Sequence, residues 1–486
     1  MKESIPKEVL EVLSTLKKSG FEGYLVGGCV RDLVIGKTPK DWDVTTNAKP
    51  DQIQSVFPDS FYENTFGTVG VKTRAEDSTY AVVEITPYRT ETTYSDNRHP
   101  DEVTFSETLE EDLKRRDFTM NAMAYDPTTD EIKDLYGGQE DIAAKKINTV
   151  GDASERFNED ALRMIRTIRF ASELSFAISS DIITAIEKHS SLLENVSRER
   201  IGEEFKKMIM SDNPLLGLTF AQKLDITDYF TPVLRETFGV EQNKKAHKYD
   251  VWEHLLHSLE HATNKNYSLE LRLAALFHDI GKPRSKRVDK KGKTTFFGHE
   301  VIGERMVEEA LNELKFSHET VKKVAKLVRW HMFFSDTEEI TLSAVRRLIA
   351  NVGKEDIWDL IDLRKCDRIG SGRPKEEPYR LRKFEAMIDQ VIADPISVSM
   401  LKMNGDIMLK MFPVKPGPRV GWVLNALLED VLDDPSKNNN EYMEQKTSKL
   451  LKLSDKELLE LNKKGKNKQV EAEQEQLKGI NRKHKI

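Results

Sequence analysis

Tyr24-Leu25-Val26-Gly27-Gly28-Cys29-Val30-Arg31-Asp32, followed after a turn at Gly36 and Pro39 by Asp41-Trp42-Asp43-Val44-Thr45, decides how the chain is read. The apolar run Tyr24 to Val26 predicts a short buried strand. Gly27 and Gly28 break it, so that backbone N–H groups can face an anion at the start of a helix. Arg31, one turn into that helix, adds a guanidinium fork for a phosphate. Asp41 to Thr45 reads as a second strand, in which residues two apart share a face, so Asp41 and Asp43 converge. Paired carboxylates on a strand offer hard oxygen ligands to Mg2+ and leave positions for water and phosphate oxygens. Two such ions about 4 Å apart can bind the attacking and leaving oxygens of an in-line displacement. Alone, Gly-Gly reads as a turn and Asp-x-Asp as a solvated loop. In the order strand, Gly-Gly, helix, turn, strand they favour a nucleotidyl-transfer head.

Outward from this stretch, Val9, Leu10, Val12, Leu13 and Leu16 have helical spacing within Pro6 to Lys18, ending at Gly20. Phe66 to Thr73 and Thr79 to Thr86 read as a hairpin about Glu76-Asp77. Glu84, on its second strand, is either a third carboxylate facing the Asp pair or an ordinary exposed Glu. Tyr88 to Pro100 is polar and turn-rich, with no regular element expected. Leu109 to Ala122 begins as an amphipathic helix and carries Arg115, Arg116 and Asp117; by themselves, adjacent arginines read as a solvated face. From Ser154 the pattern is helical, which puts a boundary near residue 150. Phe157 to Phe170 predicts one helix. Asp160, Arg163, Arg166 and Arg169, each three apart, form a slanted ridge on it, opposite Leu162, Ile165, Ile168 and Phe170.

A second constellation lies further on: W-E-H-L-L-H-S-L-E-H (His254, His257, His261), L-F-H-D-I-G-K-P (His278, Asp279), then His299, His331 and Asp367. Imidazoles mixed with carboxylates suit divalent transition metals, whereas any single His reads as packing. The chain has 486 residues, 32% charged and 38% hydrophobic, enough for several domains. Its net charge of −7 argues against non-specific nucleic-acid binding over the whole surface but leaves room for a local basic face. Two cysteines, Cys29 and Cys366, are too few for a disulfide framework or thiolate metal site. Met1-Lys2-Glu3-Ser4 does not open a signal peptide, and no apolar stretch is long enough for a membrane span, so the cytoplasm is expected.

G-G-x-V-R-D followed by D-W-D resembles the signature of the class II tRNA nucleotidyltransferase and bacterial poly(A) polymerase family. Four later stretches extend the likeness: R-R-D-F-T-M-N-A (Arg115 to Ala122), D-L-Y-G-G-Q-E-D (Asp134 to Asp141), E-D-x-x-R (Glu159, Asp160, Arg163) and the helix motif Ser197 to Glu204. The resemblance implies that Asp41 and Asp43 hold Mg2+ with Glu84 as a third catalytic carboxylate. It implies that Gly27, Gly28, Arg31 and Arg116 hold the triphosphate and Asp117 the ribose 2′-OH, and that Asp160 and Arg163, on the ridge with Arg166 and Arg169, pair with the incoming base. Asp accepts from an exocyclic amine and Arg donates to ring nitrogen or carbonyl oxygen, which suits cytosine and adenine; uracil and guanine would leave the carboxylate unpaired. His254, His278-Asp279, His299, His331 and Asp367 resemble the ligand series of the HD superfamily of metal-dependent phosphohydrolases, implying a divalent transition metal.

The expected fold is α+β: a small nucleotidyltransferase α/β head with a mixed sheet (1–150), an all-α neck (151–240), an HD-type helical domain (241–370), a helical body along RNA (371–435) and a charged tail (436–486). Within the tail, Leu450 to Leu461 reads as a short helix and the last two dozen residues as disordered. The expected activity is template-independent C-C-A addition to tRNA from CTP and ATP. Tyr88 to Val103 resembles the loop of full C-C-A-adding members. Addition of C-C alone, of A alone or of poly(A), and a non-catalytic RNA-binding role, remain alternatives, and the sequence does not give the oligomeric state.

Overall fold

The computed structural model describes residues 1–62, 67–91, 103–243, 248–288, 294–333 and 340–461. It divides into two compact units, Met1–Arg235 with Glu313–Lys315, and Glu236–Asn312 with Phe316 onward.

In the first unit, α1 (Lys7–Lys18) buries Val9, Val12, Leu13 and Leu16. β1 (Tyr24–Val26) runs through Gly27 into α2 (Gly28–Ile35), and Gly27 has φ +79°, where a side chain is strained. There follow β2 (Asp43–Thr46), α3 (Pro50–Val56), β3 (Ser60–Tyr62), β4 (Val69–Lys72), β5 (Val82–Pro87), β6 (Arg89–Glu91), β7 (Val103–Phe105), α4 (Leu109–Lys114), β8 (Met123–Asp126), β9 (Glu131–Asp134) and α5 (Gly138–Ala143). The sheet order is β3-β4-β5-β2-β1-β8-β9. Only the β2–β5 pair in it is parallel, so the sheet is mixed. Leu25, Val44, Val69, Ile85 and Tyr125 fill its core.

Two expectations shift here. The strand starts at Asp43 rather than Asp41, because ladder pairing with β5 begins at Asp43; Asp41 sits in the bend before it. Tyr88 to Pro100 was expected to be irregular throughout, yet Tyr88 is fully buried and Arg89–Glu91 pairs antiparallel with Val103–Phe105. Residues 92–102, the centre of the Tyr88–Val103 likeness, lie outside the described residues.

Next come β10 (Lys146–Ile147), α6 (Ala153–Glu159), α7 (Leu162–Leu174), β11 (Ala177–Ile178), α8 (Ser180–His189), α9 (Arg198–Ile209), α10 (Pro214–Lys223), α11 (Thr227–Phe230) and α12 (Pro232–Arg235). The single helix expected over Phe157–Phe170 is two. Asp160 is extended, with φ −144° and ψ 102°, and its carboxylate accepts from the Leu162 N–H at 3.1 Å, satisfying an orphan amide at the start of α7. Two members of the arginine row are buried: Arg163 and Arg169 are 8% and 7% exposed.

The second unit contains α13 (Val251–Asn264), α14 (Leu269–Phe277), α15 (Lys282–Ser285), a small ribbon of β12 (Arg287–Val288) and β13 (Thr294–Thr295), α16 (His299–Glu313), α17 (His318–Trp330), α18 (Leu342–Val352), α19 (Ile357–Gly370), α20 (Tyr379–Val391), α21 (Gly405–Met411), α22 (Pro418–Asp433) and α23 (Asn440–Leu450). Gly370 lets α19 close onto α13, since a Cβ there would lie 2.1 Å from Ser258 Oγ. A separate core gathers Met408, Val423, Leu427, Val431, Met443, Leu450 and Leu458. The helix expected across Leu450–Leu461 forms only from 455 to 461: α23 stops at Leu450 and a separate short helix follows, capped where the Ser454 hydroxyl accepts from Glu457 N–H and the Glu457 carboxylate from Ser454 N–H. The final residues, read as disordered, lie outside the described residues. No described helix is long and apolar enough to cross a membrane.

The head's turn geometry is testable at Gly138. A Cβ there would stand 2.4 Å from the carbonyl oxygen of Thr119, in the turn that follows Arg116 and Asp117. Gly138→Ala should cost about 1–3 kcal/mol of head stability by overpacking, read as an earlier denaturant midpoint; an unchanged midpoint would show that the turn gives way freely.

Candidate active site

Parallel pairing of β2 and β5 sets Asp43 directly beside Glu84, and neighbours across a ladder face the same side. Gly27 looks onto the same spot: a Cβ built there would lie 3.2 Å from Arg116 Nη1 and 3.5 Å from Asp43 Oδ2. Glycine loop, guanidinium and carboxylate thus converge. Burial, then Asp41, then Glu84 push the Asp43 carboxyl up to about 7, with Arg116 opposing them. That excess of negative charge on oxygen donors fits a hard divalent cation. Cys29, within the turn, is pushed up to about 12 by burial and then by Asp43, so it stays a thiol and a packing residue.

Arg116 is aimed by a residue the sequence reading passed over. Asp112 is fully buried in α4. Its Oδ2 accepts from Arg116 Nη2 at 3.1 Å and from the Thr45 hydroxyl of β2 at 3.2 Å; its Oδ1 takes Arg115 at 2.7 Å. The spacing of three and four residues, from α4 into the turn that ends it, was the available signal. Arg116 Nε is buried and has no hydrogen-bond partner among the described residues, a donor suited to an anion.

Arg31 donates to Asp32 and, through Nη1, to Asn121 Oδ1 at 3.0 Å. Asn121 in turn donates to Asp117 Oδ1, while Asp117 Oδ2 accepts from Arg166 Nε and Nη2 at 2.9 and 2.6 Å. Burial raises the Asp117 carboxyl, but Arg166 and Arg163 outweigh it and hold it down to about 2. Glu204 of α9 faces Arg169 Nε at 2.6 Å and Arg166 at 3.5 Å. The guanidiniums of Arg31, Arg166 and Arg169 lie 5.2, 5.4 and 3.7 Å from the centre of the Phe170 ring, whose face attracts cations. Asp160 pairs with Arg200, and Arg163 with Glu159. Asn121, Arg200 and Glu204 were missed because Arg31, Asp160 and Arg169, their partners, are distant in sequence, and Phe170 because an apolar residue on the buried side of a helix reads as packing.

In the second unit the ligand atoms of His254, His278 and Asp367 form one close group and those of Asp279, His299 and His331 another, each within 4.8 Å. Asp279 joins them: Oδ2 is 3.1 Å from His254 Nε2 and 3.4 Å from His278 Nε2, while Oδ1 is 3.1 Å from His299 Nε2 and 3.6 Å from His331 Nε2. Nδ1 of His278, His299 and His331 faces the carbonyls of Ala275, Phe296 and Val328 at 3.0, 2.7 and 2.6 Å. A carbonyl can only accept, so the proton sits on Nδ1 and the Nε2 lone pairs turn inward, as metal-binding imidazoles require. Lys282 Nζ, 2.5 Å from Asp279 Oδ2, also donates to Gln242 Oε1. Gly281 is required because a Cβ would stand 2.1 Å from the His299 carbonyl oxygen. His257 and His261 pair instead with Glu260 and Glu376. This donor set fits a divalent ion.

Sheet, glycine loop and converging carboxylates define a nucleotidyltransferase head, joined in one chain to a helical His/Asp domain. Residues 23–148 match the Poly A polymerase head domain, 175–237 the probable RNA and SrmB-binding site of polymerase A, and 251–370 the HD domain. A CCA-adding enzyme of Bacillus cytotoxicus is 31% identical over 440 residues, covering 88% of this chain and 95% of that protein. One of Enterococcus faecalis is 46% identical over 233 residues, 47% of this chain and 55% of that protein. The crystal structure of the Bacillus stearothermophilus CCA-adding enzyme in complex with CTP superposes with a TM-score of 0.67 at 26% identity, covering 92% of this chain and 99% of that one. The chain belongs to the CCA-adding enzyme family.

Asp43 gives a pH prediction. Its carboxyl is raised from 3.8 to about 7 in the fold, so between those values the fold binds a proton that the unfolded chain has released. This contribution to stability is present at low pH and is lost as pH rises toward 7. A cation at the carboxylates favours the ionised form, so the gain in melting temperature on adding Mg2+ should grow between about pH 5.5 and pH 8. Asp43→Asn should flatten that growth. A Mg2+ effect independent of pH in the unaltered protein would exclude Asp43 as a donor.

Proposed function

We propose that the protein builds the 3′ C-C-A end of tRNA from CTP and ATP, with Mg2+ at the head. The carrying observation is the convergence of Gly27, Arg116, Asp43 and Glu84 in a chain that matches CCA-adding enzymes over most of its length. The terminal 3′-hydroxyl attacks the α-phosphorus of the nucleotide and pyrophosphate leaves. Asp41 and Asp43 would hold the metal ion, with Glu84 beside them. Mg2+ bound there would supply Lewis-acid stabilisation of the developing charge. Gly27, Gly28, Arg31 and Arg116 cradle the triphosphate, with Arg166 and Arg169 adding positive charge around Phe170. Asp117 faces the ribose, and Asp160 and Arg163 face the base. The cytoplasm, where tRNA ends are made, is the proposed place of action.

Three tRNA transcripts decide among the activities of the family: one lacking C-C-A, one ending in C-C and one carrying the complete end. The first should gain three nucleotides and the second one, with the third left unextended. A halt after C-C, extension of the second alone or continued growth of the third would indicate the C-C-adding, A-adding or poly(A) alternative. Tight tRNA capture without incorporation would make this an RNA-binding protein.

For the His/Asp cluster we propose a metal-dependent phosphohydrolase acting on 2′,3′-cyclic phosphate ends, with a divalent transition metal held by His254, His278, Asp279 and Asp367 and a second position completed by His299 and His331. The inward lone pairs and the shared Asp279 support this. Opening the P–O3′ bond with water would leave a 2′-phosphate and a free 3′-hydroxyl. Partners of metal ligands are worth roughly 10–100-fold, so loss of a ligand itself should cost at least about a hundredfold. His278→Ala should remove hydrolysis and transition metal but spare nucleotide addition, and Asp43→Asn should do the reverse. No hydrolysis of cyclic phosphates or phosphomonoesters by the Mn2+, Ni2+ or Co2+ protein would make the domain a scaffold.

A further inference from the structure

The carboxylate of Asp160 stands in the break between α6 and α7, where no helical backbone fixes its direction. Two contacts fix it instead. Oδ1 accepts from the Leu162 N–H at 3.1 Å and from Arg200 Nη1 at 3.2 Å, and Oδ2 accepts from Arg200 Nη2 at 2.6 Å. Arg200 belongs to the first turn of α9, 40 residues further along the chain. A two-pronged guanidinium–carboxylate pair sets the plane of the carboxylate as well as its distance, which a point-like ammonium cannot do. Each carboxylate oxygen has two acceptor positions. Oδ1 is therefore filled by Leu162 and Arg200, while Oδ2 keeps one position beside Arg200. The neighbouring Arg163 is braced separately: it donates to Glu159 Oε2 at 2.5 Å and to the carbonyls of Arg156 and Arg115 at 3.1 and 3.2 Å.

We propose that Arg200 is a specificity-determining positioning residue: by holding Asp160 at both oxygens it aims the one remaining acceptor position of Oδ2 at the exocyclic amino group of the incoming base. The inference rests on Asp160 being a base reader. Arg200 does not touch the nucleotide in this scheme. Its effect is to make the Asp160 carboxylate a single, oriented acceptor, so that a base presenting a carbonyl oxygen meets an oxygen it cannot satisfy. The triphosphate is held by other groups, so Arg200 should govern choice among nucleotides much more than their binding.

The test uses the full-length protein and measures kcat/KM for CTP against UTP on tRNA lacking C-C-A, and for ATP against GTP on tRNA ending in C-C. An aligned polar pair is worth about 10- to 100-fold in discrimination, so Arg200→Met and Arg200→Lys should each lower both ratios about tenfold or more. KM for CTP should stay within about threefold, since the groups that hold the phosphates are untouched. Arg200→Lys keeps the charge and most of the side-chain stem, and its melting temperature should match the unaltered protein, so it decides the matter if the Met variant folds poorly. Adding Arg200→Met to Asp160→Ala should lower the ratios no further, because both changes remove one oriented acceptor. If Asp160→Ala loses selectivity while the Arg200 variants keep it, Arg200 is only an anchor for α9 and the proposal falls, with the base-reading role of Asp160 intact. If Asp160→Ala itself keeps the original ratios, the base-reading role falls and the Arg200 proposal with it.

Discussion

Like charge at the head of the sheet is the constraint on which the first unit depends. Register places Asp43 beside Glu84, and Asp41 stands in the bend just before the strand. Burial and then repulsion from the other two carboxylates raise the Asp43 carboxyl to about 7. An arrangement of this kind persists only when the surrounding structure over-determines it. Here the frame is the sheet itself together with Arg116, which Asp112 holds against β2 through Thr45. Gly27 is needed for its positive φ, and the missing side chain also eases the approach of the guanidinium, which a Cβ would crowd at 3.2 Å.

The neck continues the same alternation of charge. Asp117, Arg166, Glu204, Arg169 and Glu173 form a chain of ion pairs in which nearly every carboxylate is shared or flanked by a guanidinium. Partly buried pairs of this sort are weak evidence of stability, because desolvation offsets much of the attraction. What they fix is geometry: Arg166 joins α7 to the turn carrying Arg116 and Asp117, and Arg163 reaches the Arg115 carbonyl of the same turn. The segment expected to hold phosphate and sugar and the segment expected to read the base are therefore one mechanical piece. Phe170 adds an attractive ring face to three guanidiniums that each also have a carboxylate partner.

How much of this was legible in the sequence depends on the range of the interaction. Glycines 27 and 28, the alternation that places Val83 and Ile85 inward and Glu84 outward, and the helix of Lys7–Lys18 follow from local periodicity, and the sequence displays them. The break at Asp160 was hidden because apolar spacing runs through it, while the Asp side chain competes for the Leu162 amide and ends the first helix. For arginines 163 and 169 residue type alone predicts exposure, whereas both are buried. Their carboxylate and carbonyl partners come from α9, from the turn at Arg115 and from nearby helical turns, and only the folded chain brings these together. The histidine series could be read as an ordered set of ligands. Its division into two groups sharing Asp279 could not, since sequence order says nothing about which oxygen of a carboxylate faces which imidazole.

The placement of those histidines has a reason in helix geometry. His278 and His331 are the residues that end α14 and α17. Carbonyls in the last turn of a helix lack intrahelical partners. Those of Ala275 and Val328, three residues before each histidine, are thus free to accept from Nδ1. A histidine in mid-helix would find the corresponding carbonyl already bonded to the backbone, and its tautomer would be left to chance. Ending the helix at the histidine fixes the proton on the outer nitrogen and turns the other toward Asp279, so the orphan carbonyls that every helix leaves become the supports of the cluster. The head reaches a comparable end with opposite means: its donors are all oxygen, they need no tautomer, and what must be controlled there is charge, supplied by Arg116 and the buried Asp112 behind it.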